Sequence, residues 1–296
     1  MMLMSYKRLM MKKELHALIA LSIAAFMLSS CESQEEKEQR LATEAMQKVK
    51  QMYTEQLTSL GISPEQYNES LIKAVLNDDG MLVQLLLQAG ADINTTDDNG
   101  NTPLILAAAT NNAVLVEFLL TMCADIDVNQ AAEMGITPLI AAINSGDELT
   151  VRPLLKHAKI DVNKTADGNV SPLFMALSKN KIEVAKLLLQ HPQINVNLAS
   201  GDNLCPLLIA LVQEQTEIAQ ILLQRADIDV NQANSKGLTP LYVAAVQGQT
   251  DIVRLLLEHS DIDIHKATNR GRTPLQAAEG AGHTEIIRLL RNSGAR

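Results

Sequence analysis

Tryptophan is absent from the 296 residues, and four tyrosines and three phenylalanines are the only aromatic side chains. Sheet cores lean on aromatic and β-branched residues, so this poverty argues against a β-sandwich. Positive charge is also scarce. There are 25 basic against 34 acidic residues, and four of the bases (Lys7, Arg8, Lys12, Lys13) stand with only Glu14 in the first thirty positions. The remainder carries 21 basic against 33 acidic groups with no basic stripe, which repels phosphate backbones and anionic head groups and excludes nucleic acid as the expected partner. No glycine-rich phosphate loop, Cys-x-x-Cys pair or Ser/His/Asp set on a recognisable scaffold is present, so no catalytic residue and no cofactor are expected. The apolar stretch Ala17 to Leu28 is twelve residues long, well short of the roughly 20 that cross a bilayer as a helix.

What the chain has in quantity is aliphatic residues. Apolar side chains make up 47%, enough for a large core of closely packed helices. The basic residues 7–13, the apolar stretch and then Leu28-Ser29-Ser30-Cys31 form the three consecutive regions of an export signal. Reading from Met11 gives a compact version of the same signal, with Met1 or Met10 as longer starts. The final tetrapeptide resembles the lipobox of bacterial lipoproteins. That resemblance implies cleavage before Cys31, acylation of its thiol, and a membrane anchor facing the periplasm. Glu32 stands where an Asp would favour the inner membrane, so the outer membrane is expected. Residues 1–30 are thus the signal peptide and 31–62 the lipidated cysteine and tether. Residues 32–60, opening on the polar run Glu32 to Arg40, are expected to be a spacer. The alternative, from the apolar recurrence at Leu41, Ala45, Val49, Met52 and Leu60, is a helix that packs on the first repeat or on a partner. Gly61 would end such a helix, and Ser63-Pro64-Glu65-Gln66 opens another with a capping box.

The strongest feature is internal repetition. Pro103, Pro138, Pro172, Pro206, Pro240 and Pro274 are spaced 35, 34, 34, 34 and 34 residues apart. Each follows a small residue (Thr102, Thr137, Ser171, Cys205, Thr239, Thr273) and precedes Leu, with Ala four positions on at Ala107, Ala142, Ala176, Ala210, Ala244 and Ala278. Thr-Pro-Leu opening a helix at a period in the low thirties resembles the ankyrin repeat. The block Thr239-Pro240-Leu241-Tyr242-Val243-Ala244-Ala245 carries the likeness most fully, and it extends over residues 67–296. The expected fold is an all-α solenoid of about seven ankyrin units. The domain spans 63–296: an N-terminal capping repeat at 63–97, repeats at 98–268 and a C-terminal capping repeat at 269–296, where Arg288, Arg291 and Arg296 make the last helix polar. The small residue before each Pro should cap its helix, and Leu119, Leu155, Leu189, Leu223 and Leu257 should bury against neighbouring repeats. Asn129, Asn163, Asn197 and Asn231 should close the loops by bonding their own backbone at unusual φ. The His that commonly follows Thr-Pro-Leu is replaced by Ile105, Ile140, Phe174, Leu208, Tyr242 and Gln276, and Pro153 should kink or shift a second helix.

The resemblance implies a protein-binding function and a monomer. A scaffold organising an envelope enzyme is the first version. An immunity protein blocking an envelope-targeted toxin and a secreted effector binding host proteins are the alternatives. Just before each Thr-Pro stand Asn101, Ile136, Val170, Leu204, Leu238 and Arg272, four apolar residues between polar ends. With Val212 and Val246 on the adjoining helices they form a candidate binding stripe, rimmed by Glu133, Asp202, Lys236 and Arg270. Close packing of these residues into the core is the competing expectation. His157, His191 and His259 share one repeat position with Arg225, but helices about 8–10 Å apart cannot bring equivalent residues to one metal ion. Asp127, Asp161, Asp229 and Asp263, with Asn195 in the missing slot, read as turn residues and not as a calcium site, so no metal is expected. Cys123 and Cys205 lie more than two repeats apart and should stay free.

Overall fold

The computed structural model describes residues 34–295; the segment expected to be a signal peptide, Cys31 and Arg296 lie outside the described residues. Among the described residues there are fifteen α-helices and no β-strand. They fall into two compact units that divide after Thr95.

The first unit holds α1 (Gln34–Ser59), α2 (Tyr67–Leu76) and α3 (Gly80–Ala89). The polar run that predicted a spacer is helical from Gln34 on, and α1 packs on α3. Tyr53 and Leu57, four residues apart and so on one helical face, are buried there. Leu60 is not part of that face: it lies past the helix end and is 62% exposed. Gly61 then adopts φ +78°, which ends the helix at little steric cost. The backbone N–H of Ser63 donates to Gln66 Oε1 at 3.0 Å, one arm of the capping box that opens the turn into α2.

The second unit repeats one helical pair six times. The first helices are α4 (Pro103–Ala109), α6 (Pro138–Ser145), α8 (Pro172–Ser178), α10 (Pro206–Val212), α12 (Pro240–Gln247) and α14 (Pro274–Ala281). The second helices are α5 (Ala113–Met122), α7 (Glu148–Lys156), α9 (Ile182–Leu189), α11 (Thr216–Leu223), α13 (Thr250–Glu258) and α15 (Thr284–Asn292). Each first helix packs on the next first helix and each second helix on the next second helix, giving two layers. Proline takes the first helical position in all six first helices, where its missing N–H has no intrahelical partner to lose. Thr102, Thr137, Ser171, Thr239 and Thr273 each accept the N–H three residues on; Cys205 makes no such bond.

The alanines at the fourth position after each Pro are all fully buried, so the first helices approach closely. On the second helices the fully buried column is Leu119, Leu154, Leu188, Leu222 and Leu256. Leu155 and Leu257, expected in that column, are half-buried. The fully buried column stands sixteen residues after each Pro, whereas Leu155, Leu189, Leu223 and Leu257 stand seventeen after. One residue along a helix turns a side chain about 100° away from the seam; Leu189 and Leu223 are buried all the same. Each buried Leu contributes on the order of 2 kcal/mol through area removed from water.

Polar side chains join the repeats at two further columns. Contrary to the expectation that they bond their own backbone at unusual φ, Asn129, Asn163, Asn197 and Asn231 each reach into the next repeat. Asn163 Nδ2 donates to the Gln193 carbonyl at 2.7 Å while its Oδ1 accepts the Asn195 N–H at 2.8 Å. The other three make the same pair of bonds to Lys159 and Asp161, Asp227 and Asp229, and Asp261 and Asp263. An amide, with one donor and one acceptor arm, can bridge two backbone groups in this way. Just ahead of the second helices, Lys181 donates to the Gly146 carbonyl, Gln215 Nε2 to Leu177 at 2.8 Å and Gln249 Nε2 to Leu211 at 3.0 Å. His283 Nε2 lies 3.0 Å from the Val246 carbonyl, a contact that requires its proton on that nitrogen.

α7 runs unbroken through Pro153. The carbonyl deprived of a partner is that of Leu149, whose side chain stands at an exposed position. At the C-terminal end α15 buries Ile286 and Leu290 and exposes Arg288 and Arg291, the two-faced pattern of a helix with one solvated side. No helix among the described residues is long and apolar enough to cross a membrane.

Candidate functional site

Ahead of each first helix the chain forms a five-residue hairpin, here called a finger. The six fingers of the second unit are residues 97–101, 132–136, 166–170, 200–204, 234–238 and 268–272. Each is closed by the N–H of its first residue donating to the carbonyl of its last, at 2.9–3.2 Å. The turn needs left-handed backbone, supplied by Gly100, Gly135, Gly168, Gly237 and Gly271 and by Asn169 and Asn203. Backbone bonds also run from finger to finger: Glu133 N–H to the Asn99 carbonyl at 3.1 Å, Ser235 to Asp202 at 3.0 Å and Asn269 to Lys236 at 3.1 Å. A Cβ on Gly135 would stand 3.0 Å from the Ala166 backbone, so the fingers stack flank to flank and the tips form a row.

Ile136, Val170, Leu204 and Leu238 occupy the last position of the four central fingers and are half-buried, neither sealed in the core nor fully open. Asn101 and Arg272 hold the same position at the two ends. Val212 and Val246, at the C-terminal ends of α10 and α12, are 49% and 42% exposed. Glu133, Asp202, Lys236 and Arg270 all stand exposed at finger tips. Charge changes sign along this row. Asp97 and Asp98, Glu133, Asp167 and Asp202 mark the first four fingers; Lys236, then Arg270 and Arg272, mark the last two. Burial would raise the Asp97 carboxyl, but hydrogen bonds from the Asn101 side chain and from the Asn101 and Asn99 N–H groups outweigh it and hold it below its ordinary value.

Met134 was not legible as part of this face. It is 68% exposed at the tip of the second finger and holds φ +57°, a conformation that costs a non-glycine residue about 1 kcal/mol. Its one sequence signal is that it fills, beside Gly135, a slot that Asn99, Gly168, Asp202, Lys236 and Arg270 fill in the other fingers.

The remaining columns are structural. Asp161 Oδ1 accepts the Asn163 N–H at 2.9 Å, and Asp127, Asn195, Asp229 and Asp263 do the same two residues on. His157 and His191 accept the N–H two residues on at 3.3 Å through Nδ1. An open cleft of about 560 Å³ lies between residues 223–231 and His259–Asp261. The guanidinium in it, Arg225, makes two 2.8 Å bonds to the Asp227 carboxylate. No group of three His, Cys, Asp or Glu among the described residues could hold a metal ion. Cys123 and Cys205 are free thiols, the first half-buried and the second buried. Burial pushes the Cys205 thiol up to about 11, with the Leu208 and Leu207 N–H groups opposing.

A family model for ankyrin repeats matches three consecutive stretches, residues 71–166, 161–234 and 226–296. A crystal structure of an ankyrin repeat domain from Acinetobacter baumannii AYE is 27% identical, with a TM-score of 0.58, covering 66% of this chain and 98% of that one. Among curated proteins, an ankyrin repeat protein of Fowlpox virus is 33% identical over 93 residues, 30% of this chain and 27% of that protein. The human 2-5A-dependent ribonuclease is 41% identical over 80 residues, 27% of this chain and 10% of that enzyme. The chain therefore spans about a quarter or less of the length of these curated relatives, and the likeness to the ribonuclease lies in its ankyrin region. Ankyrin repeats generally serve as protein–protein interaction scaffolds. With the matched stretches running without a break from residue 71 to residue 296, the chain belongs to the ankyrin-repeat family.

Proposed function

We propose that the protein is a non-enzymatic scaffold, tethered to the bacterial envelope through an acylated Cys31, that captures another protein on the finger row and the adjoining first helices. The observation that carries the binding face is the half-buried stripe Ile136, Val170, Leu204 and Leu238, flanked by the exposed Val212 and Val246. Apolar groups left partly open beside charged tips favour a partner that removes them from water. The tether rests on Leu28-Ser29-Ser30-Cys31 and the basic and apolar segments before it. Multiple acyl chains would hold the protein at a membrane, since each buried CH₂ contributes about 0.8 kcal/mol.

Two measurements on the full chain test this. Palmitate labelling should depend on Cys31 and disappear in Cys31→Ser. Affinity capture from detergent-solubilised envelopes, followed by mass spectrometry, should recover one partner that the double variant Leu204→Ser/Leu238→Ser loses while its helical melting curve stays within a few degrees of the parent. Retained capture by that variant would refute the assignment of the face.

A further inference from the structure

We infer that the partner segment seated on the finger row is itself divided by charge: basic where it meets the first four fingers, acidic where it meets the last two, and apolar at the changeover. This rests on the finger row being the binding face. The fingers carry, in order, two acids (Asp97, Asp98), one (Glu133), one (Asp167), one (Asp202), then one base (Lys236) and two (Arg270, Arg272). No finger mixes signs, and the sign changes once. The charges are exposed at the tips, except Asp97, which is locked in its ionised form by three hydrogen bonds. The changeover falls between the fourth and fifth fingers, where Leu204 and Leu238 stand.

Neighbouring fingers follow the spacing of packed helices, about 8–10 Å, comparable with the screening length of about 8 Å at physiological ionic strength. A bound segment therefore meets each finger's charge nearly separately, so order matters and not only net charge. Six fingers extend over about 45 Å, the length of about 14 residues of extended chain. A second copy of this protein is the obvious rival, because the row could meet itself antiparallel. That arrangement pairs the outer fingers well, but it sets Asp167 of one copy against Asp202 of the other, twice, at the centre of the contact. Like charges there oppose self-pairing, so the row favours a different protein.

The probe is a pair of 15-residue synthetic peptides of identical composition. One has lysines in its first third, Leu and Val in the middle and glutamates in its last third; the other interleaves the same residues. Fluorescence anisotropy with the full chain should show the segregated peptide binding about tenfold more tightly at low salt, the difference vanishing by about 0.5 M NaCl. The variant Lys236→Glu/Arg270→Glu/Arg272→Glu makes the row acidic throughout and should abolish the difference. Adding Asp98→Lys, Glu133→Lys, Asp167→Lys and Asp202→Lys reverses every finger but the first, where Asp97 remains, and should restore it, because the reversed row accepts the same peptide turned end for end. Equal binding of the two peptides, no binding of either up to millimolar concentration, or a difference that survives in the first variant overturns the inference. So does salt-sensitive dimerisation of the parent in sedimentation that the first variant abolishes. If the peptides fail while Leu204→Ser/Leu238→Ser still abolishes capture from envelopes, the charge order alone falls and the binding face stands; if that double variant captures normally, the face itself falls.

Discussion

Cys205 stands where Thr or Ser caps the other five first helices; the Leu207 and Leu208 N–H groups face its sulfur, but a thiol is a weak acceptor and makes no capping hydrogen bond like those of the hydroxyls. A hydroxyl at a helix N-cap contributes about 1 kcal/mol over a residue that cannot cap. Serine matches cysteine in shape, and Ser171 occupies the equivalent site, capping α8 through the Phe174 N–H at 3.1 Å. Cys205→Ser should therefore raise the unfolding free energy by about 1 kcal/mol, read as a higher denaturant midpoint at unchanged slope. The parent thiol, buried and pushed up to about 11, stays protonated at neutral pH. Thiol reagents should accordingly modify the half-buried Cys123 first and Cys205 only on unfolding. A drop in midpoint for Cys205→Ser would mean that the burial of sulfur outweighs the missing cap.

Among the helices, α13 and α15 are joined by a carboxylate held between two guanidinium groups: Glu285 contacts Arg288 at 2.8 Å and Arg254 at 2.5 Å. The hydrogen bond from Arg288 is the largest effect; with the Arg254 hydrogen bond and the positive charges of both arginines it outweighs desolvation and holds the Glu285 carboxyl well below 4.5, at about 2. The folded state thus favours the ionised form more than the unfolded chain does. The contribution is complete above about pH 4.5 and is lost as pH falls from there through about 2. Hydrogen exchange in α15 should accelerate over that window in the parent and lose this pH dependence in Glu285→Gln. An unchanged profile in the variant would show that the clamp does not hold the terminal helix. The first helices, their caps and their buried alanines were legible from Thr-Pro-Leu and the Ala four positions on, because those requirements are local. The packing of α1 was less so. Its polar opening reads as solvated spacer, and Tyr53 and Leu57 acquire meaning only when α3 is there to cover them.

Across the second unit, periodicity made the stack legible, since equal spacing of equal motifs admits side-by-side packing with little else. What escaped was the wiring between repeats. Asn163 binding Gln193 and Asn195, or Gln215 binding Leu177, joins residues some 30 to 38 positions apart, and nothing local distinguishes such an amide from one that bonds its own turn. The half-burial of Leu204 and Leu238 escaped for a similar reason: it depends on how closely neighbouring fingers lean together. Because every repeat touches only its neighbours, stability is close to a sum of repeat and interface contributions. Leu222 lies fully buried on α11, which packs against both α9 and α13. Leu222→Ala leaves a cavity costing about 2–5 kcal/mol, and that loss weakens two interfaces at once. Leu290, equally buried on α15, has a neighbouring second helix on one side only. Leu222→Ala should therefore broaden or split the urea transition, with exchange rising from α9 to α13 while α4 and α5 keep their protection. Leu290→Ala should loosen α14 and α15 and leave the main transition single. If both variants instead lowered one sharp transition equally, the repeats would be coupled far more tightly than nearest-neighbour packing provides.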